Sequence, residues 1–305
     1  MSKVPGLPKQ PRLEDLYLPT IDFEKLHVRR YEGVGEGTRT PVLLVHGAVE
    51  NGRIFYSESG KGLAPYLAQN GYDTYVLDFR GRGLSTPRIT RRSLHGQTEL
   101  ITEDLPTVIK AIKARMGSSA HSTDRAPIWI GHSWGGVLLL SLLARFPEFL
   151  PDVSKIVFFG TKRSVRVQNP EKWFKIDFGW KFLAPLLTRV YGYLPGREWK
   201  MGSDQETRLS HAHSREWVIS KNWIDPEDGF NYRDAIRKLK LPPILSVVGD
   251  LDQALGHHDD AKRFLEEAGA QDSAILRVPF GHVDMLSSTE AREKVFPQVL
   301  NWIRR

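Results

Sequence analysis

Short apolar runs alternate with amphipathic stretches along most of the chain. Apolar residues recur at steps of three and four over residues 101–112, and similar spacing recurs at about 259–268 and 291–303, which predicts helices. Runs that are apolar throughout are typical of strands buried on both faces of a parallel sheet. Six short runs are predicted strands: Val42–Val45, Thr74–Leu77, Pro127–Ile130, Ile156–Phe159, Ile244–Val248 and Ala274–Val278. The pattern predicts an α/β fold, a mostly parallel sheet wrapped by helices on both faces.

The alternation breaks between residues 161 and 240. This stretch holds five of the eight tryptophans and many other aromatic residues. A connection this long between core elements is typical of a functional insertion. We therefore predict a helical, aromatic-rich cap or lid over residues 161–240 and a core formed by 17–160 and 241–305. Residues 1–16 are predicted to be a tail. The cap aromatics can line an apolar binding wall or form a small core of their own, and the sequence leaves both open.

Composition and charge exclude several classes of protein. No run of about 18 apolar residues is present, so no membrane span is expected. The first residues lack the apolar stretch of a signal peptide, and a cytoplasmic location is the default expectation. The absence of cysteine excludes disulfides and thiolate chemistry. The net charge of +7 comes from dispersed residues, which favours a solvated basic surface over a nucleic-acid partner. Basic residues from Lys162 to Lys175 are interpreted in the same way.

The most informative motif is Gly131-His132-Ser133-Trp134-Gly135, which lies between a predicted strand and a predicted helix. A Gly-x-Ser-x-Gly pattern in that context is the nucleophile elbow, a sharp turn that exposes the serine hydroxyl. The glycines are needed because side chains there would collide with neighbouring backbone. The amide of Trp134, at the start of the helix, is a predicted oxyanion-hole donor.

A serine nucleophile needs a base and an acid that orients the base. Histidine titrates near pH 7, and His282 follows the last predicted strand of the sheet. The preceding strand ends at Asp250 and Asp252, so either carboxylate can orient the imidazole. With either carboxylate, the order along the chain is serine, acid, histidine, which is the order that accompanies a nucleophile elbow.

These motifs together resemble the α/β-hydrolases, in particular the capped esterase, monoacylglycerol lipase and lysophospholipase group. The resemblance rests on five motifs in order: His46-Gly47, the Asp78–Ser85 loop, the elbow, Gly249-x-x-Asp252 and Gly281-His282. It implies that Asp252 is the acid and that the Ala48 amide is the second oxyanion donor. His46 and the Asp78–Ser85 loop are interpreted as structural.

The resulting prediction is a cofactor-independent serine hydrolase that cleaves carboxylic esters with an apolar acyl or aromatic portion. Its expected partner is a small-molecule ester, including lipid-like esters. A thioesterase or a carbon–carbon bond hydrolase with the same triad is the alternative, and a non-catalytic binding protein is less favoured. His257-His258-Asp259-Asp260 and His211-Ala212-His213 lack an established ligand spacing, and adjacent histidines are expected to point to different sides, so no metal site is predicted. The oligomeric state is not predicted.

Overall fold

An eight-stranded sheet forms the centre of the protein. The computed structural model describes residues 10–20, 24–35, 39–116 and 126–305. The strand order is β1-β2-β4-β3-β5-β6-β9-β10, with β1 and β2 antiparallel and the other six strands parallel. A two-stranded ribbon, β7-β8, lies outside it. The strands are β1 (Leu13–Pro19), β2 (Lys25–Tyr31), β3 (Pro41–Val45), β4 (Asp73–Asp78), β5 (Ile128–His132), β6 (Lys155–Phe159), β7 (Tyr193–Leu194), β8 (Glu206–Thr207), β9 (Ile244–Gly249) and β10 (Ser273–Val278).

Helices connect and cover the strands. Two segments have π-helical hydrogen bonding, Leu100–Asp104 and Trp173–Leu183, and two short 3-10 turns occupy Gly52–Ile54 and Pro147–Asp152. The α-helices are α1 (Leu63–Gln69), α2 (Gln97–Glu99), α3 (Leu105–Met116), α4 (Trp134–Arg145), α5 (Pro170–Lys172), α6 (Ala184–Tyr191), α7 (Arg208–Ile219), α8 (Tyr232–Ile236), α9 (His258–Ala268), α10 (Asp284–Ser287), α11 (Ala291–Lys294) and α12 (Phe296–Ile303).

The parallel strands are buried on both faces, as their apolar runs predict. In β5, Trp129 points into one apolar cluster, while Ile128 and Ile130 point into the other. Helices α3, α4 and α9 cover the first face, and α1 and α12 cover the second. The predicted α/β architecture is confirmed, and its parallel strands bring their carboxyl ends to one edge, where sites in such folds form.

Two local expectations were wrong. Strand β1 begins at Leu13, inside the segment predicted as a tail, and pairs with β2 from Leu13 opposite Tyr31 onward. Its alternating, half-exposed residues gave a weak pattern because an edge strand buries only one face. The predicted C-terminal helix is two helices, interrupted at Val295 before Pro297, since proline cannot donate the hydrogen bond that would continue the first helix.

Residues 161–240, which we call the insertion, connect β6 to its neighbour β9. Its aromatic residues fall into two groups. Trp217, Trp223 and Tyr232 are buried in the same apolar cluster as one face of the sheet. Trp173 and Phe174, in contrast, are each 63% exposed. The insertion therefore has one part that belongs to the main core and one long helix that presents apolar side chains to solvent.

Candidate active site

Ser133 lies in a strained turn between β5 and α4. Its φ of 51° is in the left-handed region that side-chain-bearing residues rarely adopt. A Cβ at Gly131 would lie 2.5 Å from the Gly136 nitrogen, and one at Gly135 would lie 2.3 Å from the Val45 oxygen. These contacts explain why the pattern needs glycine at both positions. The turn is further held by the Ser133 amide, which donates to the Phe159 oxygen at 2.8 Å.

His282 follows β10 and is joined to Asp252, which follows β9. The His282 Nδ1 and Asp252 Oδ2 atoms are 2.5 Å apart. Glycines make room for this pair, since a Cβ at Gly160 would lie 2.8 Å from the imidazole and one at Gly256 would lie 2.6 Å from the carboxylate. Asp250, the other candidate, turns away and forms an ion pair with Arg277. Of the two carboxylates left open by the sequence, the structure brings Asp252 to the histidine.

A second histidine–carboxylate pair lies directly behind the first. His132, the residue before Ser133, is fully buried, and its Nδ1 lies 2.8 Å from Glu50 Oε2. Its Nε2 lies 3.2 Å from the His282 carbonyl oxygen, and the two imidazole centroids are 4.8 Å apart. Glu50 also accepts a hydrogen bond from the Gly47 amide. Sequence reasoning missed this pair, because His132 occupies a variable position of the elbow pattern.

Burial is the main reason why the neutral form of His282 is favoured. Burial lowers the pKa of His282, and the His132 imidazole and the Lys162 ammonium add to this, while Asp252 opposes them. Burial would raise the pKa of Asp252. The charge of His282, the hydrogen bond that His282 donates and the charge of Lys162 instead lower it to about 2. Burial would likewise raise the pKa of Glu50, but His132 lowers it to about 2. The arrangement is an ionised Asp252 beside an imidazole able to accept a proton near pH 7.

Ser133 and His282 face the same edge of the sheet without a direct bond. No hydrogen bond joins the Ser133 hydroxyl to the His282 imidazole in the described part of the chain. Such contacts are often long in ligand-free enzymes and tighten when substrate binds.

The Ala48 and Trp134 amides lie at the two positions where the sequence places oxyanion donors, the loop after β3 and the start of α4. Within the described ranges, neither amide donates to an acceptor. Both are therefore available to a ligand. The Trp134 side chain is fixed separately, because its indole nitrogen donates to Gln97 Oε1 at 3.0 Å.

The insertion holds the loop that carries Ala48. Val49 adopts a φ of 50°, a strained conformation for a β-branched residue, and its amide donates to Glu206 Oε2 at 2.9 Å. The same carboxylate pairs with Arg82, whose other nitrogen donates to the Gly47 oxygen. Glu206 and Arg82 are both buried. No sequence pattern predicts this clamp, since Glu206 lies 157 residues from its partner Val49.

Other singled-out residues have structural contacts. His46 is buried, with Nδ1 against the Gly47 oxygen and Nε2 accepting from the Phe79 amide. Asp78 accepts hydrogen bonds from the Gly52 and Leu84 amides, which ties two loops together. The predicted structural roles fit these contacts.

The histidine cluster at the start of α9 differs from expectation. His257 caps the helix and does not lie within it. Its ring lies beside that of His258, tilted by 34° at a centroid distance of 4.4 Å, and does not point away from it. With Asp259, the two imidazoles offer ligand atoms within 4.8 Å of one another. His257 Nδ1 is already used as the cap, accepting from the Asp259 amide.

A parallel sheet with a serine at an elbow and an acid–histidine pair at the same edge defines a widespread class of protein. The model of the alpha/beta hydrolase fold family matches residues 40–195, slightly more than half of the chain, and the protein belongs to that family. No curated protein matches it in sequence. No described helix is long and apolar enough to cross a membrane.

Several solved structures have the same fold as this chain. A soluble variant of monoglyceride lipase from Saccharomyces cerevisiae, bound to a substrate analogue, is similar with a TM-score of 0.69, 16% identity and coverage of 99% of this chain and 98% of that one. An esterase from Pyrococcus furiosus has a TM-score of 0.59 and 18% identity over 97% and 91%. The thioesterase domain from the curacin biosynthetic pathway has a TM-score of 0.57 and 14% identity over 95% and 99%. At these identities, the likeness concerns the fold.

Proposed function

We propose that the protein is a serine hydrolase that cleaves carboxylic esters through an acyl-enzyme on Ser133. The observation that carries the proposal is the buried Asp252–His282 pair at the sheet edge where Ser133 is held in its strained turn. Only a nucleophile, a base and an orienting acid need to meet for this chemistry, and the three residue types occur here in the chain order of the fold.

In the proposed reaction, His282 Nε2 takes the Ser133 proton as the hydroxyl attacks the ester carbonyl. Asp252 keeps Nδ1 protonated and stabilises the imidazolium. The Ala48 and Trp134 amides donate to the oxyanion of the tetrahedral intermediate. His282 then protonates the departing alcohol, and afterwards takes a proton from water as the water attacks the acyl-enzyme.

An apolar acyl or aromatic portion is the proposed substrate preference. The aromatic helix of the insertion starts beside the loop that carries Asp252, because Asn169 Nδ2 donates to the Gln253 oxygen at 2.7 Å. Trp173, one turn further along, begins the π-helical segment. An aromatic segment that begins so close to the Asp252 loop supports a substrate with an apolar acyl or aromatic portion.

The test is hydrolysis of a chromogenic ester series from two-carbon to long acyl chains, with Ser133→Ala as the paired control. We expect the substitution to lower kcat by a factor on the order of 10⁴ or more while the fold is retained. A matched thioester series separates the alternative activity. A folded protein that is inactive on both series, or a Ser133→Ala variant as active as the original, contradicts the proposal.

A further inference from the structure

One long helix of the insertion carries a continuous apolar row on its solvent side. The helix runs over residues 170–191, as α5, the π-helical segment and α6 follow without a break. Side chains spaced by four residues lie in a row along a helix. Five exposed apolar residues share this spacing, and we call them the ridge: Phe174, Phe178, Phe182, Leu186 and Val190.

The three phenylalanines of the ridge stack on one another, and all five ridge side chains are exposed to water. The Phe174 and Phe178 rings are stacked at 6.1 Å, and the Phe178 and Phe182 rings at 6.0 Å. Phe182 is 65% exposed and Val190 is 66% exposed. Isolated exposed apolar residues are common on proteins, but a contiguous row marks a surface that another apolar phase covers.

A basic cleft borders the ridge. It has a volume of about 500 Å³ and lies between α6 and α7, and none of the candidate catalytic residues lines it. Arg189, Arg208 and Arg215 line it, and Glu216 is the one acidic residue among its lining residues. No carboxylate pairs with these three arginines in the portion of the chain that the structure describes. Arg189 lies one residue before Val190, so the cleft begins where the ridge ends.

Although basic residues are dispersed along the whole chain, their excess over acidic residues lies mainly in the insertion. The insertion has sixteen lysines and arginines against ten acidic residues, so it carries +6 of the total charge of +7. An amphipathic helix with aromatic residues on one face and basic residues beside them is the pattern that lies in a membrane interface. Anionic headgroups supply the charge complementary to the arginines.

We propose that the ridge and the basic cleft form a docking surface for an anionic lipid bilayer. The ridge enters the acyl boundary, and the arginines bind the phosphate groups beside it. This surface is distinct from the candidate catalytic residues, so docking does not depend on the proposed ester hydrolysis.

Sedimentation with phospholipid vesicles tests the docking directly. We expect binding to vesicles of about three parts phosphatidylcholine to one part phosphatidylglycerol, weak binding to phosphatidylcholine alone, and weaker binding at high salt. Phe178→Ser with Phe182→Ser should reduce the affinity at least about tenfold. Arg189→Gln with Arg208→Gln should reduce it by roughly thirtyfold, from about 1 kcal/mol per charge.

Matched controls separate the surface from general effects. Leu13→Ser with Ile275→Ser removes apolar residues that are exposed on the two sheet edges. Arg53→Gln with Arg304→Gln removes exposed charges that lie outside the insertion. Both control variants, and Ser133→Ala, should bind like the original protein. Ridge variants should hydrolyse a soluble two-carbon ester at the original rate if the proposed hydrolase function holds.

Three outcomes overturn the docking proposal. Undiminished vesicle binding by both the ridge and the cleft variants places the contact elsewhere. A dimer that the ridge variant converts to monomer, without vesicle binding, identifies a second copy as the occupant. Binding of inorganic phosphate alone to the cleft, again without vesicle binding, identifies a site for free anions.

Discussion

The protonation of His282 is set by groups on both sides of its ring. Asp252 lies at Nδ1, the His132 imidazole lies behind the ring at a tilt of 45°, and Lys162 is buried nearby. The proposed base acts only when deprotonated. Because burial, His132 and Lys162 lower the pKa of His282 from 6.5, the deprotonated form persists below that pH.

The pH dependence of kcat/KM is the first prediction at this scale. Activity should decline as pH falls through the pKa of His282, with the midpoint below 6.5. Lys162→Met should move the midpoint to higher pH, because it removes a positive charge that lowers this pKa. Profiles between about pH 4.5 and 8 check both statements, since the range brackets the ordinary pKa of histidine. Lys262→Met, an exposed position on α9, is the control. Superimposable profiles for Lys162→Met and the original protein contradict the assigned role of the lysine charge.

Single residues were predictable where their neighbours restrict the backbone. Ser133 and His282 could be found because glycines beside them mark a turn at a strand end. The choice between Asp250 and Asp252 could not be made from the residues alone, since both follow the same strand. It depends on the direction that each side chain takes, toward His282 or toward Arg277, and that direction is set by packing.

At the scale of elements, residues of the insertion hold the loop after β3 in place. Glu206 accepts from the Val49 amide and pairs with Arg82, which also binds the Gly47 oxygen. These contacts fix the backbone on both sides of Ala48. An oxyanion donor must be positioned before the charge develops, so the clamp is expected to matter for kcat more than for KM.

Glu206→Gln tests the clamp. It leaves the buried Arg82 charge without its partner, which we expect to lower the free energy of unfolding by about 3 kcal/mol and kcat by at least about tenfold. Arg82→Met combined with Glu206→Met removes both charges, so stability should largely return while kcat stays low. Denaturant unfolding and steady-state kinetics on one ester provide the two measurements. If kcat recovers together with stability in the double variant, the clamp has only a structural role.

Sequence patterns predicted the elements that obey a simple period and missed the contacts between distant ones. The central strands were apparent as apolar runs, whereas β1 was hidden by its half-exposed alternation. No local sequence pattern indicates the Glu206 clamp. An acidic residue in a long segment of polar and aromatic residues is expected to be exposed to solvent, and only the folded structure places it against Arg82. Its burial is a consequence of tertiary structure alone.

At the scale of the whole molecule, part of the insertion shares an apolar cluster with the core. Trp217 contacts Trp134 of α4 at a centroid distance of 6.0 Å and Tyr232 of α8 at 5.2 Å. The sequence left open whether the aromatic residues form a separate layer. The contacts give a mixed answer: Trp217 and Trp223 extend the main core, and the ridge stands outside it.

Trp217→Ala and Trp173→Ala are a matched pair that tests this division. We expect Trp217→Ala to lower the free energy of unfolding by about 3–5 kcal/mol, because it opens a cavity in a fully buried site. Trp173→Ala, at an exposed position, should change it by no more than about 0.5 kcal/mol. Fluorescence and circular dichroism unfolding curves should coincide for the original protein. Two separated transitions, with Trp217→Ala affecting only one, would show that the insertion folds independently.

The position of the insertion between two neighbouring strands determines which parts of it can be replaced. Since β6 and β9 pair directly, the connecting segment can be exchanged without reordering the sheet. Parallel neighbours still need a crossover, and α8, packed on α4 through the Tyr232–Arg145 contact, belongs to that crossover. A recombinant that imports a foreign segment must therefore keep Trp217 and α8 and supply a buried carboxylate for Arg82. Changes confined to the exposed ridge side chains leave the contacts of Trp217, α8 and Arg82 in place, so the outer surface of the insertion can vary independently of the part that completes the core.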